Sequence, residues 1–297
     1  MSSIVPSIFA TEWAPSNLQS EKYLLSLDSI FAKVKSFGCD FVHLVYCWNF
    51  DKDDVATIET LIERYNVHVS CVHSLTQLNR PNSAAEIEKE RVQLSEAITI
   101  AGRFGAALVA CNFGQNASRT EEAAIADCKT NYASCFDAAA DSELTIVVEN
   151  TCSANVGDEI TTSAEGILRL IEGVGTPSFK FQFDPGNLQS MGEQAYPYAY
   201  ELLKEHVRFI HLKDVVKYDG TVDYHRRAET ARKLIGTNAS RYVTVPVGEG
   251  EMDLVGLIGN LIKDGYKGFI DVEPHTVEDR LDEFYTTGLN FLSRYVS

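Results

Sequence analysis

The sequence lacks any apolar stretch approaching about 18 residues, the length at which a helix can cross a bilayer. Its first residues, Met1–Pro6, contain no basic region followed by an apolar region, so the pattern of a secretory signal is missing there. These two absences argue against a membrane partner. We therefore expect a cytoplasmic protein.

Basic residues are scarce relative to acidic residues. The chain has 26 Lys and Arg against 42 Asp and Glu, which gives a formal net charge of −16. A surface of this charge repels the phosphates of DNA and RNA. We therefore expect no nucleic acid partner.

Paired cysteines are also missing. The 7 cysteines are odd in number and scattered, and no two of them form a C-x-x-C pair. This spacing excludes a zinc site built from thiolates and gives no disulfide framework. Buried free thiols in a reducing compartment are the simplest interpretation.

The composition is that of an ordinary globular protein, with 297 residues, 45% hydrophobic and 23% charged. It has enough apolar surface to offset the entropy of folding. No linker, low-complexity tract or change in composition divides the chain. Because α/β barrels of about 250 residues fold as one domain, we expect a single domain over residues 1–297.

Short apolar runs alternate with longer amphipathic segments along the chain. The runs are mostly continuous and not alternating, which is typical of parallel strands buried on both faces. The eight predicted strands are Ile4–Ala10, Phe41–Tyr46, Val67–Val72, Ala107–Cys111, Leu144–Val148, Phe179–Phe183, Val207–Leu212 and Phe269–Val272.

Helix start and stop signals lie between these runs. Three segments fit a capping box, in which a hydroxyl and a carboxylate satisfy free N–H groups of the first turn. They are Ser83–Glu86, Ser118–Glu121 and Thr162–Glu165. Four glycines follow helical segments, where a left-handed residue ends a helix. They are Gly38, Gly105, Gly175 and Gly265.

A unit of strand, loop, helix and glycine, used about eight times, predicts a single (β/α)₈ TIM barrel. An open doubly wound sheet is the alternative, but that fold usually has a glycine-rich turn after its first strand. Residues 11–15 here contain no glycine. One longer insertion, about residues 215–246, follows the seventh strand and is expected to be irregular and basic.

Polar side chains end the last four predicted strands. They are Glu149, Asp184, His211 and Glu273. Because active sites of barrels lie at the carboxyl ends of the strands, these side chains should converge. Three carboxylates would repel one another unless a cation lies between them. Such oxygen and nitrogen donors suit Mn²⁺, Co²⁺ or Mg²⁺, with Zn²⁺ possible.

Each of these residues also has a structural interpretation. A glutamate at a strand end is often a capping or salt-bridging group, and a histidine such as His211 is often a hydrogen-bonded core residue. Four ligand-type residues at equivalent ends of four consecutive strands are a rarer coincidence. The metal site is therefore the preferred hypothesis.

Five segments carry a resemblance to a known superfamily. They are Ile146–Asn150, Phe183–Leu188, Ile210–Asp214, Gly248–Gly250 and Val272–Pro274. They resemble the xylose isomerase-like barrels, which include sugar phosphate isomerases and epimerases, inosose dehydratases, hydroxypyruvate isomerases and endonuclease IV. The resemblance runs from about Ile4 to Glu273.

The resemblance implies one divalent cation held by Glu149, Asp184, His211 and Glu273. It also implies that Glu149 and Glu273 are the catalytic acid and base, on opposite faces of the substrate. The cation acts as a Lewis acid on an α-hydroxy ketone, and a carboxylate removes the adjacent proton through a cis-enediolate. We therefore predict a metal-dependent isomerase or epimerase of a keto-sugar or related polyol ketone.

Loss of a β-hydroxyl from the same intermediate makes a dehydratase or lyase of a keto-cyclitol or keto-acid the alternative. Many epimerases of the superfamily have a histidine three residues after the Asp184 position. Here that residue is Asn187, which cannot take up a proton at neutral pH. This departure favours the dehydratase, isomerase or acid-sugar branches.

Further residues are predicted to contact a small sugar or keto-acid substrate. They are His73, Asn112, Asn187, Lys213, Trp13, Trp48 and Arg226. An ion pair with Asp214 or a loop acid is an equal alternative for Lys213. For the two tryptophans the alternative is packing at the barrel mouth, and for Arg226 it is a solvated charge on a loop. His43, His68 and His206 are interpreted as structural.

Two further functions stay open with less support. An endonuclease IV-like enzyme has histidines where this chain has Asn112 and Asn187, so a three-metal cluster lacks ligands. A non-catalytic sugar-binding subunit is not favoured because both glutamates are present. By analogy with the superfamily, a homodimer or homotetramer is expected.

Overall fold

The computed structural model describes residues 4–10, 20–46, 50–153, 159–218, 235–236, 241–276 and 278–296. In chain order its strands are β1 (Val5–Phe9), β2 (Phe41–Val45), β3 (His68–Gln77), β4 (Leu108–Asn112), β5 (Thr145–Glu149), β6 (Phe179–Phe183), β7 (Val207–Leu212), β8 (Asp214–Lys217), β9 (Ile235–Gly236), β10 (Arg241–Val245) and β11 (Phe269–Val272). The eight predicted strands are all present.

Helices follow most strands of the barrel. The described α-helices are α1 (Ser20–Ser36), α2 (Lys52–Tyr65), α3 (Ala84–Arg103), α4 (Glu121–Asn131), α5 (Ala133–Asp141), α6 (Ala164–Val174), α7 (Pro185–Ser190), α8 (Tyr200–Leu203), α9 (Leu254–Lys263) and α10 (Leu281–Ser293). Among the described residues, no helix combines the length and apolar character needed to cross a membrane.

The barrel is closed and parallel, with the strand order β1-β11-β7-β6-β5-β4-β3-β2. Its first strand completes the ring: Ile8 is in register with Val42 of β2 on one side and with Val272 of β11 on the other. All three side chains are buried. The predicted single (β/α)₈ TIM barrel is confirmed.

One predicted capping box is confirmed and a second was wrong. Ser83 Oγ accepts the N–H of Glu86, whose carboxylate accepts the N–H of Ser83. The helix predicted to begin at Ser118 is capped by Thr120 instead. The reason is local, because Ser118 Oγ donates to Asn116 Oδ1 at 2.6 Å and is used in the preceding turn.

The third box was displaced by one residue. Ser163 is the cap and accepts the N–H of Gly166, whereas Thr162 Oγ1 donates to the carbonyl of Glu159 within a short turn. The helix-ending role of the four glycines is confirmed by their positive φ angles. These are 70° at Gly38, 69° at Gly105, 68° at Gly175 and 74° at Gly265.

The insertion after β7 is more regular than predicted. Its ends form an antiparallel pair, β8 with β10, and β9 pairs with β10. The expectation of an irregular segment was therefore wrong for these residues. The reason is that residues 214–217 and 241–245 are both β-branched runs, which favour pairing once the chain turns back. Residues 219–234 and 237–240 lie outside the described residues.

Asp214 ties the two ends of this insertion together. Its Oδ2 accepts the N–H groups of Gly248 at 2.9 Å and Gly250 at 3.0 Å. Its Oδ1 accepts those of Val215 at 3.0 Å and Met252 at 3.4 Å. A Cβ atom at Gly250 would lie 1.8 Å from Asp214 Oδ1, so only glycine leaves room for the carboxylate.

Candidate metal centre and active site

The four residues predicted as metal ligands meet at one end of the barrel. Glu149 ends β5, Asp184 follows β6 as the N-cap of α7, His211 lies in β7 and Glu273 follows β11. One ligand atom from each lies within 4.8 Å of the others, and all four residues are buried. The parallel strands thus bring side chains that are far apart in sequence to one point.

His211 lies between the two glutamates. Its Nδ1 is 3.0 Å from Glu149 Oε1 and 3.3 Å from Glu273 Oε2. Gln182 of β6 places its amide nitrogen 3.1 Å from His211 Nε2. The Nδ1 edge of the imidazole therefore faces the carboxylates, on the side where a shared cation would lie.

Burial and charge act in opposite directions on these groups. Burial would lower the pKa of His211, but Glu273 and Glu149 raise it well above its usual value. Burial would raise the pKa of Glu273, but Lys213 and His211 hold it well below its usual value. Asp184 is the exception, because burial raises its pKa to about 6 in spite of Lys213. The cluster is therefore a set of strongly interacting charges.

The donor chemistry of this cluster fits a divalent cation. Three carboxylates and one imidazole supply oxygen and nitrogen donors, which are the ligands of Mg²⁺, Mn²⁺, Co²⁺ and Zn²⁺ in proteins. Their mutual distances allow all four to contact one ion.

Lys213 is enclosed by the same carboxylates. Its Nζ lies 2.8 Å from Asp184 Oδ2, 2.5 Å from Glu273 Oε2 and 3.4 Å from Asn187 Oδ1. The ion-pair alternative named Asp214 as a partner, but the carboxylate of Asp214 is occupied by backbone N–H groups. The lysine thus pairs with the candidate ligands themselves.

A cavity of about 320 Å³ opens above the cluster. Four of its lining residues were predicted as site residues, and they are Asn112, Glu149, Asn187 and Glu273. Other polar lining residues were missed, and they are Gln77, Thr151, Cys152, Glu159 and His275. Gln77 was missed because β3 extends to Gln77 and the predicted strand ended at Val72.

The two asparagines differ in how they are held. Asn187 Nδ2 donates to the carbonyl of Asn150 at 3.0 Å, and Asn187 Oδ1 lies 3.3 Å from Cys152 Sγ. Asn112 Oδ1 is buried and has no hydrogen-bond partner among the described residues. The side chain of Asn187 is therefore held in place by the protein, whereas the Oδ1 of Asn112 has no hydrogen-bond donor among the described residues.

His73 does not line this cavity, and its predicted role as a substrate contact stays a prediction. Its Nδ1 accepts the N–H of Leu75 at 3.0 Å, and its ring stacks on that of His43 at a centroid distance of 5.9 Å. Burial lowers the pKa of His73 to about 4. The strand continues beyond His73, which places this ring below the site.

His43 and Asp271 form a buried pair beneath the cluster that sequence reasoning missed. His43 Nδ1 lies 2.7 Å from Asp271 Oδ2 and 3.4 Å from His211 Nε2. His43, Asp271 and His211 form a second group with potential metal ligands. The signal in the sequence was a charged residue inside an apolar run, Phe-Ile-Asp-Val.

Three predicted substrate contacts, Trp13, Trp48 and Arg226, lie outside the described residues. Their predicted roles therefore stay predictions.

The chain belongs to the xylose isomerase-like TIM barrel family, whose model matches residues 31–295. The match includes all four residues of the cluster. No curated protein matches the sequence.

Solved structures share this fold at low sequence identity. A xylose isomerase-like TIM barrel protein from Mycobacterium smegmatis in complex with magnesium has a TM-score of 0.74 and 15% identity, with 100% of each chain covered. D-allulose 3-epimerase from Methylomonas sp. in complex with D-allulose has a TM-score of 0.72 and 15% identity, over 99% of this chain and 98% of that one. The probable 3-DHS dehydratase AsbF from Bacillus anthracis has a TM-score of 0.71 and 14% identity, over 97% and 98%.

Proposed function

We propose that this protein is a divalent-metal-dependent enzyme that isomerises or epimerises a keto-sugar or related polyol ketone. The observation that carries the proposal is the contact of Glu149 and Glu273 with one imidazole, His211, at the floor of a polar cavity. The proposal includes a cytoplasmic location, a small-molecule substrate and a homodimeric or homotetrameric assembly.

The carboxylates would carry out the proton transfers. A divalent cation held by Glu149, Asp184, His211 and Glu273 would polarise the carbonyl of an α-hydroxy ketone and make the adjacent C–H bond acidic. One glutamate takes that proton, the C–H electron pair becomes the C=C bond of an enediolate, and the π pair of the carbonyl moves onto its oxygen. The other glutamate returns a proton to the opposite face, which gives an epimer, or to the neighbouring carbon, which gives an isomer.

Two further residues of the site would support the reaction. Asn112 lines the cavity, and its Oδ1 has no hydrogen-bond partner among the described residues. The Lys213 ammonium balances part of the carboxylate charge. D-allulose 3-epimerase, which has the same fold, supports a ketose as the substrate class.

A dehydratase of a keto-acid or keto-cyclitol is the second candidate. The observation that favours it is Asn187, which lines the cavity with an amide that cannot take up a proton at neutral pH. The probable 3-DHS dehydratase has the same fold. Both candidates begin with the same proton removal, so the product separates them.

The test is metal-dependent exchange of a substrate proton with solvent. Protein loaded with Mn²⁺ is incubated in D₂O with ketoses, keto-acids and inososes, and NMR follows deuterium at the carbon next to the carbonyl. We expect exchange with one compound class, its loss on treatment with EDTA, and a product that separates epimerase, isomerase and dehydratase.

Two variants locate the chemistry. Glu149→Gln should keep most metal binding and lower exchange at least about a hundredfold, because an amide cannot accept the proton. Glu172→Gln, at an exposed position on α6, is the matched control and should leave exchange unchanged. Full exchange in Glu149→Gln, or exchange that survives removal of all metal, would rule the proposal out.

A further inference from the structure

Lys213 is a fully enclosed cation within the candidate metal centre. Its side chain has 0% exposure, and so has that of Asp184, its partner at 2.8 Å. The second partner, Glu273, lies 2.5 Å from Nζ and is also buried. A lysine seldom loses its water in this way unless the surrounding charges compensate for it.

Gly186 leaves the space that the side chain of this lysine occupies. A Cβ atom at Gly186 would lie 2.4 Å from Lys213 Cγ and 2.9 Å from Cδ. Gly186 follows Asp184 by two residues, in the first turn of α7. Only a residue without a side chain lets the lysine stem cross this turn and reach the carboxylates.

The ammonium group and a divalent cation would use the same oxygens. Asp184 and Glu273 supply two of the four donors in the cluster, and Lys213 contacts both. The three carboxylates carry a charge of −3 in total, and Lys213 with a divalent cation would supply +1 and +2. With His211 neutral as a metal ligand, the complete centre would therefore be neutral, whereas without the lysine one negative charge would stay uncompensated.

Two cations in one buried cluster also repel each other strongly, because the interior screens charge poorly. The lysine therefore opposes the binding of a metal ion while it stabilises the carboxylates. Lys213 would then influence how tightly the centre holds its ion, independently of any contact with substrate.

We propose that Lys213 is a built-in counter-cation of the metal centre that limits its affinity for divalent cations, and that Gly186 is the residue that admits it. This inference rests on the metal centre of the proposed function. It concerns the binding of the ion and not the reaction.

The test is the affinity for Mn²⁺, measured by titration calorimetry on full-length protein stripped with EDTA. Lys213→Met should bind Mn²⁺ at least about tenfold more tightly than the unchanged protein, because the repelling charge is gone. Its melting temperature should fall in EDTA and rise with Mn²⁺ by more than that of the unchanged protein, because the carboxylates then depend on the ion.

Gly186→Ala tests the same idea with the charge retained. The new methyl group displaces the lysine stem, so Mn²⁺ affinity should rise, by less than in Lys213→Met. This variant also covers the case in which Lys213→Met does not fold.

Lys204→Met is the matched control, since Lys204 contacts two carboxylates, Glu201 and Asp264, away from the cluster. Its affinity should equal that of the unchanged protein.

The outcomes separate this inference from the proposed function. Binding by the unchanged protein, with equal or weaker binding by both Lys213→Met and Gly186→Ala, overturns the inference and leaves the metal-dependent function standing. If Lys213→Met binds Mn²⁺ and the unchanged protein does not, the inference is supported and metal dependence of the native protein is overturned. Absence of binding in every variant overturns both.

Discussion

Single imidazoles in this barrel are held in different charge states by their surroundings. Burial lowers the pKa of His73 to about 4, and burial also lowers that of His43, although Asp271 opposes the effect. Directly above them, the two glutamates of the cluster raise the pKa of His211. The neutral imidazoles of His43 and His73 therefore lie beneath the charged cluster that contains His211.

The neutral state of His73 predicts a dependence of stability on pH. Its pKa is about 6.5 in the unfolded chain and about 4 in the folded one, so between these values only the unfolded chain takes up the proton. The stability that the neutral His73 contributes is complete above about pH 6.5 and is lost as the pH falls toward 4. When the pH is lowered from 7 to 5, we expect this loss to decrease the free energy of unfolding by about 2 kcal/mol.

Urea denaturation at both pH values measures this effect. His73→Gln should show a decrease that is smaller by about 2 kcal/mol than in the unchanged protein. His68→Gln is the matched control, because His68 is exposed at the start of the same strand. Equal pH dependence in His73→Gln and the unchanged protein would contradict the assignment.

The site residues that could be predicted are those that end strands. Glu149, Asp184 and Glu273 lie where an apolar run stops, so barrel geometry alone brings them together. His43 and Asp271 could not be assigned in this way, because they lie within strands and a sequence does not show which internal polar residues meet. The contacts of Lys213 also depend on side-chain paths that strand spacing does not determine.

At the scale of elements, the insertion depends on one side chain. Asp214 accepts backbone N–H groups from both ends of the loop after β10, and the close approach of Gly250 leaves no space for a methyl group. Since β8 begins at Asp214, next to Lys213, the same anchor supports the strand end that carries the lysine.

Gly250→Ala should therefore destabilise the protein by about 1–3 kcal/mol through overpacking against Asp214. Gly259→Ala is the matched control, because nothing lies within 4 Å of a Cβ atom there. Gly259 is within α9, where alanine should add up to about 1 kcal/mol. Urea denaturation measures both changes, and a Gly250→Ala protein as stable as the unchanged one would show that the loop has another anchor.

Most elements could be predicted because their signals are local. Apolar runs located the eight barrel strands, and glycines located four helix ends. The errors arose where two local solutions compete. Ser118 and Thr162 both have the hydroxyl of a cap, but each uses it in a neighbouring turn. The pairing of β8 with β10 also needs contacts that are distant in sequence.

At the scale of the whole molecule, closure of the barrel depends on β1. Its register with β11 joins residues that are more than 260 positions apart, such as Val5 and Phe269, and its register with β2 joins Ile8 to Val42. Without this strand, β2 and β11 would each expose an unpaired edge, which is a template for aggregation.

Deletion of residues 1–9 should abolish cooperative unfolding and produce aggregates, because two apolar strand edges are exposed at once. Deletion of residues 1–3 alone is the control and should leave unfolding cooperative, since β1 begins at Val5. Circular dichroism during heating and size-exclusion chromatography measure both. A monomeric, cooperatively unfolding protein without residues 1–9 would show that the remaining strands close the ring.

The contact between Gly186 and Lys213 links two positions in mutation and design. A side chain at position 186 collides with the lysine stem, and the loss of the lysine leaves buried carboxylates without their partner. Each single change therefore has a cost, whereas a joint replacement by a small apolar residue at 213 and alanine at 186 avoids the collision and leaves only the loss of the lysine charge to be compensated. Anyone who redesigns this pocket would therefore have to treat the two codons as one unit.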